Sequence, residues 1–192
     1  MTAGDRTPRA PFWYAPAVIA AAIALAPRPG AAAPGRWFAN LEGSFSFLGQ
    51  LVSGEAAIGS FAYRVAGGFR PSAFELFATV EHGFWRDDEG SRRLSVQTLD
   101  VGLGIGGTFF DGRARAEIAA GASILLTRSQ LDEPGTTGFF VDARPAGIRW
   151  RVGSRMIAAL YPLTFAFVAP VTEGIPLVYV SYRTAAVCEL EF

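Results

Sequence analysis

The sequence predicts an all-β chain that closes into an antiparallel up-and-down transmembrane β-barrel of eight strands. Three observations carry that prediction. Eight segments between Trp37 and Phe192 alternate apolar and polar residues, and in a strand alternate side chains point to opposite faces. Mean hydropathy is +0.28, yet after residue 33 the apolar residues are spread through short alternating segments, as a membrane barrel requires, with almost no run of helix-spanning length. The connections after the second, fourth and sixth segments are terse, whereas those after the third and fifth are longer and polar. That asymmetry suits a barrel with short turns at one end and longer loops at the other.

The first segment, 37–47, sets Trp37, Ala39, Leu41, Gly43, Phe45 and Phe47 against Asn40, Glu42, Ser44 and Ser46. The second, 57–69, sets Gly59, Phe61, Tyr63 and Val65 against Ser60 and Arg64, and Arg70-Pro71-Ser72 supplies turn chemistry. The third, 73–85, opposes Phe74, Leu76, Ala78, Val80, His82 and Phe84 to Glu75, Thr79 and Glu81. The fourth, 94–110, starts out of phase with its own continuation, which predicts a bulge near Gln97. Asp111-Gly112 is the strongest hairpin signal, a pair suited to positive φ. In the fifth segment, 113–128, Ala114, Ala116, Ile118 and Ala120 oppose Arg113, Arg115 and Glu117. Only the end of the sixth, 139–152, alternates well, with Ile148, Trp150 and Val152 against Arg149 and Arg151. Gly153-Ser154 is the expected next turn. The seventh, 156–169, is apolar on both faces and holds Pro162. Its length and central Pro disfavour a spanning helix, so it reads as a strand with an apolar inner face.

Residues 1–33 read as a signal peptide ahead of a barrel domain over 34–192. Arg6 and Arg9 precede an apolar run, Ala15 to Ala26, and Ala31-Ala32-Ala33 offers a cleavage site. The 17 basic residues, all Arg, balance 17 acidic ones, and with no basic block nucleic acid is not an expected partner. Cys188 is alone, which excludes an intrachain disulfide and a Cys-rich metal site. No cofactor or metal is called for.

The final segment, 177–192, places Val178, Val180, Tyr182, Thr184, Ala186, Cys188, Leu190 and Phe192 on one face. Tyr179, Ser181, Arg183, Glu189 and Glu191 fall on the other. A strand with this alternation and a terminal aromatic resembles the C-terminal strand of bacterial outer-membrane β-barrels. The whole region 34–192 resembles the small OmpA/OmpX-type members. The resemblance implies residence in the outer membrane of a Gram-negative bacterium, with outer-membrane lipid and the barrel-assembly machinery as partners. It further implies that Phe192, Leu190 and Tyr182 form the assembly signal.

With the apolar face outward, strand parity sends Glu42, Arg64, Glu75, Glu81, Asp100, Arg113, Arg115, Glu117, Arg149, Arg151, Arg183, Glu189 and Glu191 into the lumen. An eight-stranded interior is only wide enough for side chains, so these are expected to fill the barrel as an ion-pair network. A hairpin turn at Phe69-Arg70 would face Arg64 with Glu75. A loop centred near 134 would face Glu117 with Arg151 or Arg149. The function expected is structural or surface-interaction, with loops 86–93 and 129–138 as candidate contact regions and a partner the sequence does not specify. The alternatives are a narrow pore for small solutes, a lipid A-modifying enzyme, or a secreted lipocalin-like barrel suggested by Gly35-Arg36-Trp37. The single His82 lies on the outward face with Phe84 two residues on, so the His-x-Ser pattern of lipid A deacylases is missing.

Overall fold

The computed structural model describes residues 35–51, 56–57, 59–87, 94–128, 136–171 and 177–192. The expected signal peptide and most of the two candidate contact loops lie outside these residues. Eight long strands are present: β1 (Arg36–Leu51), β2 (Ser60–Arg70), β3 (Phe74–Asp87), β4 (Leu94–Phe109), β5 (Ala114–Arg128), β6 (Thr137–Arg151), β7 (Met156–Val171) and β8 (Leu177–Glu191). A two-residue bridge, Ala56–Ala57, also pairs with Gly49 and Gln50 of β1. Each long strand pairs antiparallel with the next, and β8 returns to β1 over a register running from Phe38↔Glu191 to Leu51↔Tyr179. Pairing the last strand with the first removes the free edges that an open sheet would expose.

Alternation decides which side chains face which way, and it does so in the sense expected. In β8 Tyr179, Ser181, Arg183, Ala185, Val187, Glu189 and Glu191 are buried inside, while Leu190 and Cys188 are exposed outside. The outer wall is apolar: Trp37 is 63% exposed, Leu41 60% and Leu103 73%. A polar interior within an apolar exterior is the arrangement of a membrane barrel and the reverse of a soluble lipocalin. Among the described residues no helix is long and apolar enough to cross a membrane.

The three terse turns share one end of the barrel, the turn end. Pro71–Ala73 joins β2 to β3, Phe110–Arg113 joins β4 to β5, and Val152–Arg155 joins β6 to β7. At the second, Phe110, Asp111 and Gly112 have φ of 51°, 55° and 80°. Two non-glycine residues in succession thus adopt the left-handed region, where Asp is tolerated and Phe rarely found. Backbone bonds from Gly112 N–H to Phe109 O and from Arg113 N–H to Phe110 O, both 3.1 Å, close the turn.

Register shifts at three places bear on the interior. The β4–β5 ladder shifts between Gln97 and Thr98, but the extra residue is Leu126 on β5; β4 itself keeps its phase, with Val96, Thr98 and Asp100 all buried, so the bulge expected near Gln97 falls on the partner strand. In β6 the inward set runs Phe140, Asp142, Arg144, then passes two exposed residues, Pro145 and Ala146, before resuming at Gly147 and Arg149. In β7 it runs Ile157, Ala159, Tyr161, passes Pro162 and Leu163, and resumes at Thr164, Ala166 and Val168. Each proline therefore sits at a bulge, where its missing N–H costs no ladder bond. The inner face of β7 carries no charge, in line with its expected apolar character.

Candidate functional site

Among the described residues the interior buries eight carboxylates and six guanidiniums. Seven of the eight strands contribute, β7 alone supplying none. Unpaired, such charges would be prohibitively costly to enclose. All but Asp100 are instead arranged in connected tiers.

At the turn-end mouth, one Glu191 carboxylate gathers Arg36 Nη1 at 3.0 Å, Arg151 Nη2 at 2.8 Å and Arg70 Nη1 at 2.5 Å. The next tier centres on Glu189, which accepts from Arg70 Nη2 at 3.0 Å, Arg115 Nη1 at 2.9 Å and Arg149 Nη2 at 2.6 Å. Glu75, fully buried, pairs with Arg70 Nε at 2.7 Å and Arg115 Nη2 at 2.6 Å. The Arg115 to Glu117 pair at 2.9 Å carries the chain of charges into the middle of the barrel. There Glu117 meets Arg64 Nη2 at 3.1 Å and Arg144 Nε at 3.4 Å. Arg144 also holds Glu42 and, at 2.7 Å, Asp142, while Arg183 pairs with Glu81. The guanidiniums pack on aromatic faces as well: Arg70 lies 4.9 Å from the Phe38 centroid and Arg64 5.2 Å from that of Phe77, an added cation–π attraction in a desolvated site.

Above this network the lumen changes character. Trp85 stacks on Tyr179 with centroids 4.2 Å apart, and Val96, Leu125, Phe140, Val168 and Val171 are buried with them. Leu125 and Tyr179 are completely inaccessible. The loop-end half of the interior is thus an apolar plug over a charged lower half.

The glycines of β4 make this filling geometrically possible. A Cβ on Gly104 would stand 2.2 Å from Phe77 Cζ, and one on Gly102 2.8 Å from Phe140 Cζ. Their absence gives two rings room to cross the lumen.

Most expected lumen residues are brought together: Glu42, Arg64, Glu75, Glu81, Arg115, Glu117, Arg149, Arg183, Glu189 and Glu191 are all buried members of the network. Asp100 is buried inward beside Glu81 and Ser123 in register, with no ion pair to any described residue. Two expectations need correction. Arg113 is not in the lumen; it is exposed in the β4–β5 turn, since the strand begins only at Ala114. Arg151 sits at the mouth with its side chain 49% exposed, tied to Glu191 and to Ser154 O at 3.0 Å.

The expected register also differs. Arg64 stands opposite Glu81, not Glu75, because the hairpin turns at Pro71–Ala73 and pairs Phe69 with Leu76. Glu117 stands opposite Arg144, not Arg149 or Arg151, because β6 carries the Pro145–Ala146 bulge. Sequence reasoning missed Asp142 and Arg144 for that reason, and missed Arg70 by assigning it to a turn. The signal for the first pair was Pro145 itself, a residue that marks a phase change inside a strand.

Of the proposed assembly-signal residues, Leu190 and Tyr182 point outward, and Phe192 is 68% exposed with its N–H donated to Trp37 O at 2.9 Å. His82 faces outward, its Nδ1 2.5 Å from Tyr63 OH and its ring 4.2 Å from that of Phe84. It is therefore on the opposite side of the wall from the buried carboxylates and arginines. Among the described residues no group of three or more His, Cys, Asp or Glu is placed to hold a metal ion.

Fold and interior together define a small closed barrel of the outer-membrane type, apolar without and ion-paired within. No family model matches the chain, and no curated protein matches it. Solved structures do. Neisserial surface protein A superposes with a TM-score of 0.53 at 12% identity, over 85% of this chain and 100% of that one. Ail, the attachment invasion locus protein of Yersinia pestis, gives 0.52 at 7% identity, over 82% and 100%. Its complex with the heparin analogue sucrose octasulfate gives 0.51 at 9%, with the same coverage. Both proteins are eight-stranded outer-membrane barrels, and at these identities the likeness is one of fold.

Proposed function

We propose that the chain is an integral outer-membrane barrel of a Gram-negative bacterium whose work is done at its surface, with the ion-paired interior serving as a rigid scaffold. On this reading the turn end faces the periplasm and the loop end faces outward, where loops 86–93 and 129–138 are the contact regions. Its partners are outer-membrane lipid and, during biogenesis, the assembly machinery, which reads Phe192, Leu190 and Tyr182. The two fold neighbours support the reading by analogy, since one is named a surface protein and the other an attachment invasion protein.

The observation that carries the choice of scaffold over pore is the apolar plug. Leu125, Tyr179 and Val168 are at most 1% exposed, so water does not reach them inside the barrel, and an apolar constriction of this kind opposes ion passage. Chemistry is disfavoured by the place of the one His, which lies on the outer wall against Tyr63 and Phe84, across the wall from the buried carboxylates and arginines. Refolded protein in planar bilayers is expected to be electrically silent. Stable stepwise conductance would establish a pore instead.

A further inference from the structure

We propose that the turn-end mouth is a binding site for a phosphate oxyanion. A cavity of about 640 Å³ opens there, lined by Arg36, Arg70, Arg113, Arg149 and Arg151, with Asp111 and Glu191 its only acidic lining residues. Arg70 and Arg149 are committed to Glu75 and Glu189 deeper in the barrel. Arg36 and Arg151 share the single Glu191 carboxylate, yet their side chains are 45% and 49% exposed, so each keeps donors free toward the basin. Arg113 is exposed and makes no ion pair with any described residue. Three guanidiniums with unspent capacity thus converge on one concave surface holding too few carboxylates to neutralise them. Planar guanidinium forks match the geometry of phosphate and bind it bidentately.

The basin is also amphipathic. Ile148 and Trp150 line it, and both are exposed on the outer apolar wall. An anion seated among the arginines would therefore stand where an attached acyl chain could run down the barrel side. The ligand class is a phosphate, either free or as the headgroup of an anionic lipid. The lipid source rests on the membrane reading above; binding of free phosphate does not.

Native mass spectrometry of the refolded full chain, released from micelles doped with phosphatidylglycerol or phosphatidylcholine, separates these sources when combined with an inorganic phosphate titration followed by NMR of the arginine Nε–H signals. Preferential retention of phosphatidylglycerol is expected. Arg113→Gln with Arg151→Gln should weaken it roughly tenfold or more, two charge-assisted contacts being lost. Arg155→Gln removes an exposed charge at the same rim outside the basin and should leave retention nearly unchanged. Saturable phosphate shifts on Arg36, Arg113 and Arg151, with no lipid preference, would support the site with a soluble ligand. Heat-modifiable mobility checks that each variant is folded. Equal retention of both lipids together with no saturable phosphate response would overturn the site, as would an equal loss on Arg155→Gln.

Discussion

Arg144 shows how a single buried charge is made tolerable. It reaches Glu42, Asp142 and Glu117 from one guanidinium and lays its plane 5.4 Å from the Tyr161 ring centroid. Such a residue adds little net stability over an apolar replacement of the same shape, but removing one partner strands the others in a medium that cannot solvate them. The cleanest test is the pair least shared with its neighbours, Arg183 and Glu81. Arg183→Ala and Glu81→Ala should each cost about 3–5 kcal/mol, and the double variant should recover a large part of the summed loss. Urea unfolding in detergent measures the cycle. Strict additivity would mean that the two side chains do not interact. The coupling between Arg64 and Glu75, which share no contact, should be clearly smaller.

At the scale of the strand, the inward glycines of β4 and the proline bulges of β6 and β7 are the decisive devices. Gly104→Ala places a methyl carbon against the Phe77 ring and 2.9 Å from Ile118 O. It should destabilise the barrel by about 1–3 kcal/mol, the usual penalty of overpacking, and Phe77→Leu should restore part of that loss in the same unfolding assay. The eight strands and the three short turns are legible in the sequence, because in every strand but β7 period-two alternation survives, one face meeting lipid and the other charge or polar groups. The register within hairpins is not. Arg70 continues β2 because its side chain is needed by Glu75, Glu189 and Glu191, and a turn-like Arg-Pro-Ser conceals this. Parity counted back from Trp150 crosses the Pro145–Ala146 bulge unawares and assigns Arg144 to the wrong face. Local alternation fixes facing only up to the next bulge, and the partner's chemistry fixes it beyond.

For the molecule as a whole, closure is the step on which everything else depends. The β1–β8 seam is fastened by its ladder and, at its end, by the Phe192 N–H on Trp37 O. Deleting Phe192 removes that bond and the exposed aromatic proposed as part of the assembly signal. Folded protein in the membrane fraction should fall while secretion is unchanged, as read by heat-modifiable gel mobility. Equal amounts of folded wild type and truncation would remove Phe192 from that role.

The tier around Glu189 bears on how the chain comes together in time. Its carboxylate, on the last strand to be made, receives Arg70 from β2, Arg115 from β5 and Arg149 from β6. Without β8, Arg149 would keep neither of its carboxylate partners, Arg70 one of three and Arg115 two of three, and burying cations so stripped of counter-charge is costly. The same carboxylate that closes the tier thus ties β8 electrostatically to three strands it does not pair with in the sheet.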